Sequence, residues 1–318
     1  MFHGNVSPEI ARGLLALKDR IDAATIPSSK IDETLNLATW NIREFGKKKR
    51  TEAAIHYIAE IIGQFDLVSV IELRENLEDL QRVLTILGPY WRAVYSGVVQ
   101  DDGGNGERVG FIYDKRAVVF NGMAATAIPA RQKVGEEYLP EKFWWRPPYL
   151  ASFRAGNFDF VVLAAHIRWA TTASRITELN LLADWIDTFS KDKDVVDKDL
   201  LVVGDFNVES LASDTFRALA SRGLQLPASL AREDLGSNLE KNKRYDQILH
   251  LPNPLYPQSF MNSGGVLDFH VEDSRMNELF PKGITKAKYT RELSDHLPLW
   301  VQIRTDDDRA RLEQRIQG

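Results

Sequence analysis

The 318-residue chain contains no cysteine. Disulfides and thiolate metal sites are therefore excluded, and any metal has to be held by oxygen or imidazole. Long apolar runs are missing as well. No stretch approaches the length that spans a bilayer. Glu9, Arg12, Lys18, Asp19 and Arg20 interrupt the N-terminal segment where a secretory leader needs an unbroken apolar stretch. Neither sign of charge dominates: 45 acidic and 40 basic residues leave a net charge of −5 without an acidic or basic block. That balance neither advertises nor excludes a polyanionic substrate, because a cleft can carry a field opposite to the global sign. No internal repeat is visible. Together these absences predict a soluble, cytoplasmic protein without a membrane span. With 44% hydrophobic residues, the chain can bury one large core.

Ser7-Pro8-Glu9 reads as a helix start, a capping hydroxyl followed by proline at the first helical position. Ile10, Leu14, Leu17 and Ile21 follow at helical spacing, and Ile26-Pro27-Ser28-Ser29 reads as a linker. Residues 1–34 are thus expected to form a helical extension, 35–304 the main domain and 305–318 a charged tail. Strands are predicted over Leu35–Trp40, Asp66–Ile71, Tyr90–Val99, Arg108–Tyr113, Tyr149–Arg154, Phe158–Ala165, Leu200–Val203, Tyr245–Leu249 and Leu299–Ile303, with helices over Thr51–Gly63, Leu77–Leu87 and Thr172–Phe189. Residues 101–106 read as an acidic, glycine-rich turn, and 191–198 as a solvated loop. Strands outnumber helices and several pair as hairpins, which argues for mixed sheets rather than a doubly wound parallel sheet.

Several apolar strands end in polar groups: Thr39-Trp40-Asn41, Val70-Ile71-Glu72, Ala164-Ala165-His166 and Val203-Gly204-Asp205-Phe206-Asn207. Asp295-His296 stands ahead of a last apolar run. Strand ends carrying carboxylate, amide and imidazole groups can converge on one cleft at the edge of a sheet. Asp205 and Asn207 share a face because alternate residues do, though a turn capping the next helix needs the same residues. Glu72 suits a metal ligand or a charge at a helix N-terminus. Asn41 can orient a phosphate or close a turn. His166 alone is more often a structural hydrogen-bonding residue. Asp246, in Tyr245-Asp246-Gln247-Ile248, can hold an imidazole in one tautomer.

The ordered series Thr39-Trp40-Asn41-Ile42-Arg43, Ile71-Glu72, His166, Gly204-Asp205-Phe206-Asn207, Tyr245-Asp246 and Ser294-Asp295-His296 resembles the endonuclease/exonuclease/phosphatase superfamily of metal-dependent phosphoesterases. It is most similar to the pancreatic-type deoxyribonuclease branch, through Asn41 to Gly46, Glu72-Leu73-Arg74-Glu75, Glu107-Arg108, Arg146-Pro147-Pro148 and Val266-Leu267-Asp268-Phe269. It departs from the family pattern at Ile71, at Ile167-Arg168 and in the added N-terminal helix.

The resemblance implies an α/β (α+β) fold, a four-layered sandwich of two packed mixed β-sheets flanked by helices. It implies Mg2+ or Mn2+ at Glu72, with Asn41 and Asp295 near the same ion. It further implies His296, oriented by Asp246, as base and His166, oriented by Glu107, as acid. Asp205 and Asn207 would hold water and phosphate. The base role can pass to Asp205, with protonated His296 then clamping the phosphate. Arg146, Arg74 and Arg43 are the expected substrate contacts. The expected activity is endonucleolytic hydrolysis of DNA, and RNA as a second substrate, with the run Lys47-Lys48-Lys49-Arg50 either on the phosphate backbone or solvated. The alternative is a phosphoesterase on a lipid headgroup or small phosphoester, with Lys142-Phe143-Trp144-Trp145 as the interfacial element, cleft wall or core. A third reading keeps the fold as a binding module without chemistry. No feature of the sequence points to a protein partner.

Overall fold

The computed structural model describes residues 1–99, 106–140, 142–195, 197–252, 260–270, 276–306 and 308–317. Residues 101–105 of the expected acidic turn lie outside the described residues.

Two mixed sheets carry the molecule. In the first, β1 (Thr34–Phe45) runs parallel to β2 (Leu67–Leu73) and antiparallel to β13 (Leu299–Arg304). With β3 (Trp91–Tyr95), β4 (Arg108–Asp114) and β12 (Phe260–Val266), the order is β12-β13-β1-β2-β4-β3. The second contains β5 (Val119–Thr126), β8 (Tyr149–Ala155), β9 (Phe158–His166), β10 (Leu200–Asp205) and β11 (Asp246–His250), in the order β11-β10-β9-β8-β5. An exposed two-stranded hairpin, β6 (Arg131–Val134) and β7 (Glu137–Pro140), joins β5 to β8.

Alternation along each strand sorts its side chains between layers. Leu35 and Leu37 of β1 enter the core between the sheets with Phe111, Phe153, Phe160, Val203 and Val301. Ala38, Trp40 and Ile42 face the other way, toward α2 (Glu52–Ile62) and α3 (Glu78–Leu87). In β10, Leu201 and Val203 enter the central core, while Leu200 and Val202 pack with Leu179, Leu182 and Ile186 of α4 (Thr172–Lys191). The result is the expected four-layered sandwich, helix on sheet on sheet on helix. The helices start where hydroxyls cap them: Thr51 accepts from Ala54 N and Thr171 from Ser174 N. Shorter helices α5 (Asp214–Leu219), α6 (Met276–Leu279) and α7 (Lys286–Glu292) lie in the later connections, and α8 (Asp308–Gln317) ends the described chain. No helix among the described residues is long and apolar enough to cross a membrane.

The first helix, α1 (Pro8–Ala23), is capped by Ser7 as its sequence predicts. Its Ile10, Leu14, Leu17 and Ile21 are buried in one cluster with Tyr57, Ile58 and Ile61 of α2, so it covers the helical layer rather than a sheet edge. Gly13 marks the crossing. A Cβ there would lie 1.8 Å from the Tyr57 hydroxyl, which is itself fixed by donating to Leu279 O at 2.6 Å. Replacing glycine by alanine inside a helix ordinarily stabilises by about 0.5–1 kcal/mol. Here the overpacking wins: Gly13→Ala is expected to destabilise by about 1–3 kcal/mol. Urea denaturation of Gly13→Ala and of Gly13→Ala/Tyr57→Phe checks this. Only the double variant, which removes the nearest clashing atom but leaves Leu279 O at 2.9 Å, should recover part of the loss.

Candidate active site

Strand register assembles the polar strand ends. Asp205 closes β10 directly opposite His166 of β9 on one side and Asp246 of β11 on the other. Gly204 allows this close pairing. It sits at φ 131°, and a Cβ there would meet Ala165 O at 2.1 Å. From the first sheet, Asn41 reaches across and donates through Nδ2 to Asp205 Oδ2 at 3.0 Å and to Glu72 Oε1 at 3.1 Å. Glu72 adopts φ 63°, and its Oε2 accepts from Glu44 N at 2.9 Å. A left-handed backbone at a non-glycine residue is strained and is held by its surroundings. Glu72 therefore serves this cluster and not a helix start; α3 begins later, at Glu78.

Two imidazole–carboxylate pairs flank Asp205. His166 Nδ1 lies 2.8 Å from Glu107 Oε2, and His296 Nδ1 lies 2.7 Å from Asp246 Oδ2. The two free ring nitrogens converge, each Nε2 being 3.8 Å from the same Asp205 Oδ2. The backbone of His296 is pinned at both its carbonyl and its N–H. Trp40 Nε1 donates to its carbonyl at 2.9 Å. Its own N–H donates to Ser294 Oγ at 3.0 Å, and that hydroxyl donates to Asn41 O at 2.6 Å. Asn207, at φ 51°, donates from its backbone to Asp205 Oδ1 at 3.0 Å and from its side chain to Ile167 O at 2.7 Å.

The charges follow from this packing. Burial alone would raise the Glu107 carboxyl. The hydrogen bond to His166 and the charges of His166, Arg146 and Arg74 outweigh it and hold the group at about 2. Burial works against the imidazolium of His166, yet the bond to Glu107 and the charge of Asp205 leave its pKa raised. For His296, Asp246 and Asp205 overcome burial and push the value up to about 10. Burial also raises Asp246, so the pair competes for one proton. With two carboxylates facing one ring, that proton belongs on His296.

The three arginines expected to contact substrate each pair with a carboxylate. Arg74 is only 5% exposed, its Nη2 3.5 Å from Glu107 and 3.7 Å from Glu72. Arg146 Nε lies 2.7 Å from Glu107 Oε2. Both balance carboxylates inside the site. Arg43 is half-exposed, bonded to Thr290 at 2.8 Å and paired with Asp295 at 3.2 Å. Asp295 is thereby engaged with Arg43 through Oδ2. The basic run is divided: Lys47 and Lys49 pair with Glu44 and Glu78, while Arg50 is buried and donates to Arg43 O. In the 142–145 stretch, Trp144 is buried against α4, donating to Glu178 O, and Phe143 is exposed. Ser294, named in the family series without a role, and the carboxylate-bridging position of Arg74 were not assigned from the sequence. Ser294 adjoins the Asp-His pair and could have been found there.

The residues present suit a hard divalent cation. Glu72 offers a carboxylate, and Asn41 Oδ1 is buried without a hydrogen-bond donor. Asp205, Asp246 and His296 form a second group whose ligand atoms all lie within 4.8 Å of one another. A cation there needs His296 neutral, against the carboxylates that hold its proton.

The matching sequence family accords with this geometry. The Endonuclease/Exonuclease/phosphatase family matches residues 38–296, and the chain belongs to that family. Its members are hydrolases of phosphoester bonds. No curated protein matches the sequence. Among solved structures, the fold is similar to a mannosyl-6-phosphatase from Bacteroides thetaiotaomicron, at TM-score 0.54 and 16% identity over 85% of this chain and 99% of that one. The human Nocturnin catalytic domain with bound sulfate aligns at TM-score 0.56 and 13% identity, over 87% and 96%. D. rerio TDP2 complexed with single-strand DNA product aligns at 0.55 and 16%, over 85% and 98%.

Proposed function

We propose that the chain is a divalent-metal-dependent phosphodiesterase, an endonuclease that hydrolyses DNA by in-line attack of water. The observation that carries this reading is the convergence of two imidazoles on one carboxylate, each ring held from behind by its own acid. Hydrolysis of a phosphodiester requires a group that takes a proton from water and a group that gives one to the leaving oxygen. His166, with its raised pKa and its Nδ1 tied to Glu107, is suited to give that proton from Nε2. The base role, open in the sequence between His296 and Asp205, goes to Asp205. A ring held protonated up to about 10 is a poor base near neutrality and a good clamp for a phosphate oxygen. Asn207 keeps Asp205 oriented through its backbone N–H. Glu72 and Asn41 would hold Mg2+ or Mn2+, with Asp295, paired to Arg43 through Oδ2, as the expected further ligand. When bound, the ion supplies charge stabilisation for a nonbridging phosphate oxygen.

A second reading, hydrolysis of a small phosphoester, has support from the similarity to the Bacteroides mannosyl-6-phosphatase. Supercoiled plasmid and mannose 6-phosphate, each offered with Mg2+, Mn2+ or EDTA, separate the two. Nicking in either metal, abolished by EDTA and by His166→Ala, is the expected result. Phosphate release from the sugar without nicking overturns the nuclease reading.

A further inference from the structure

The chain just beyond His166 builds a feature that the catalytic groups do not use. Trp169 is 59% exposed, unusual for an indole. The guanidinium of Arg175 lies 4.6 Å from the ring centroid, covering one face. Arg175 is itself buried and immobilised, donating to Asn207 O, Thr172 Oγ1 and Glu209 Oε1. Trp169 and Tyr245 meet in a T-shaped contact at 5.8 Å and 77°, and the Tyr245 ring lies 5.8 Å from that of His296. The indole is therefore held by Arg175 and Tyr245, one ring removed from the proton-bearing imidazole, while more than half of its surface stays exposed. Beside it, the exposed Arg168 stacks over Trp145 at 4.0 Å.

A rigid, exposed aromatic plane next to a phosphate-handling site costs little conformational entropy to use. The face of an indole carries no hydrogen-bonding group that would select one base. Every base offers a π-face, so such a plane binds nucleobases through stacking without regard to sequence. A base already paired and stacked in a duplex cannot present that face. We propose that Trp169 is a stacking platform for an unpaired nucleobase flanking the scissile phosphate, and that it gives the site a preference for single-stranded or locally opened DNA. Arg168, held against Trp145, stands beside it as the cation for the adjoining phosphate. This inference rests on the nuclease reading above and specifies its substrate.

The test uses the full chain with Mn2+ and two oligonucleotides of equal length, one of thymidines and one carrying abasic sites throughout. Wild-type protein is expected to show a KM about tenfold lower for the base-bearing strand. Trp169→Ala should abolish that difference by raising this KM, with kcat little changed, and Trp169→Phe should retain most of it. The exposure of Trp169 makes misfolding of either variant a minor concern. Cleavage of both strands with equal KM by the wild type, or a difference that survives Trp169→Ala, overturns the platform and leaves the nuclease reading standing. Cleavage of neither strand by a wild type that nicks plasmid overturns the platform alone, and absence of nicking as well overturns both.

Discussion

His166→Gln is expected to lower kcat by about 100- to 10,000-fold with KM near its wild-type value, and Glu107→Gln to approach the same loss. The two residues act as one unit: Glu107 fixes the ring through Nδ1, which leaves Nε2 to carry the proton. Glutamine keeps the shape of Glu107 but removes the charge that raises His166, so the acid is less protonated at neutral pH. The alkaline limb of the wild-type profile should move to lower pH in Glu107→Gln. The double variant should be no slower than His166→Gln alone, because residues acting as a unit are not additive. Multiplicative losses would remove Glu107 from the proton transfer. The pair also links stability to pH. Glu107, held near 2, contributes above its ordinary 4.5 and loses that contribution as pH falls toward 2. His166, with a raised value, contributes fully below its ordinary 6.5 and loses this as pH rises through its folded pKa. The Tm difference between wild type and Glu107→Gln should therefore be widest between 4.5 and 6.5.

The strand ends were legible because burial on both faces leaves a continuous apolar run that stops where polar groups begin. Val161 to Ala165 before His166 and Leu200 to Val203 before Asp205 are of this kind. The helix from Ser7 was legible for a local reason, a cap followed by proline and a periodic stripe. The first strand was read as ending at Trp40, yet β1 continues to Phe45. Its register with β2 shifts between Asn41 and Phe45, so the polar residues there occupy an irregular stretch that simple alternation does not describe. Strand β5 escaped because it is an exposed edge with Gly122 in its middle, and the β6–β7 hairpin because all its residues are exposed. Within the site, each His and its acid could be named through the family resemblance. The arginine placements could not. Arg74 meets Glu107 at a sequence separation of 33 and Arg146 meets it at 39, and neither spacing leaves a local pattern. An arginine beside a candidate phosphate site reads as a substrate contact, and only the folded chain adds that it also neutralises a carboxylate.

Asp205→Asn should be at least as damaging as loss of His166, and its pH profile separates the two assignments of the base. Asp205 Oδ2 accepts from Asn41 and faces both Nε2 atoms, so an amide there sets donor against donor at the centre of the cluster. It also removes a charge that raises both histidines. If Asp205 is the base, the variant stays at its floor at every pH, because no remaining group can take the proton from water. His296→Asn would then lose phosphate clamping but keep a measurable rate that still depends on the His166 limb. If His296 is the base instead, the wild-type rate should climb as pH approaches about 10, where its proton leaves. Asp205→Asn should then bring that rise to lower pH, since the ring it leaves behind is easier to deprotonate. A flat, minimal profile for Asp205→Asn beside a titrating His296→Asn fixes Asp205 as the base. A shifted rise in Asp205→Asn returns the role to His296. Single-turnover rates on plasmid DNA across this range, corrected for folded fraction by near-UV circular dichroism, make the distinction.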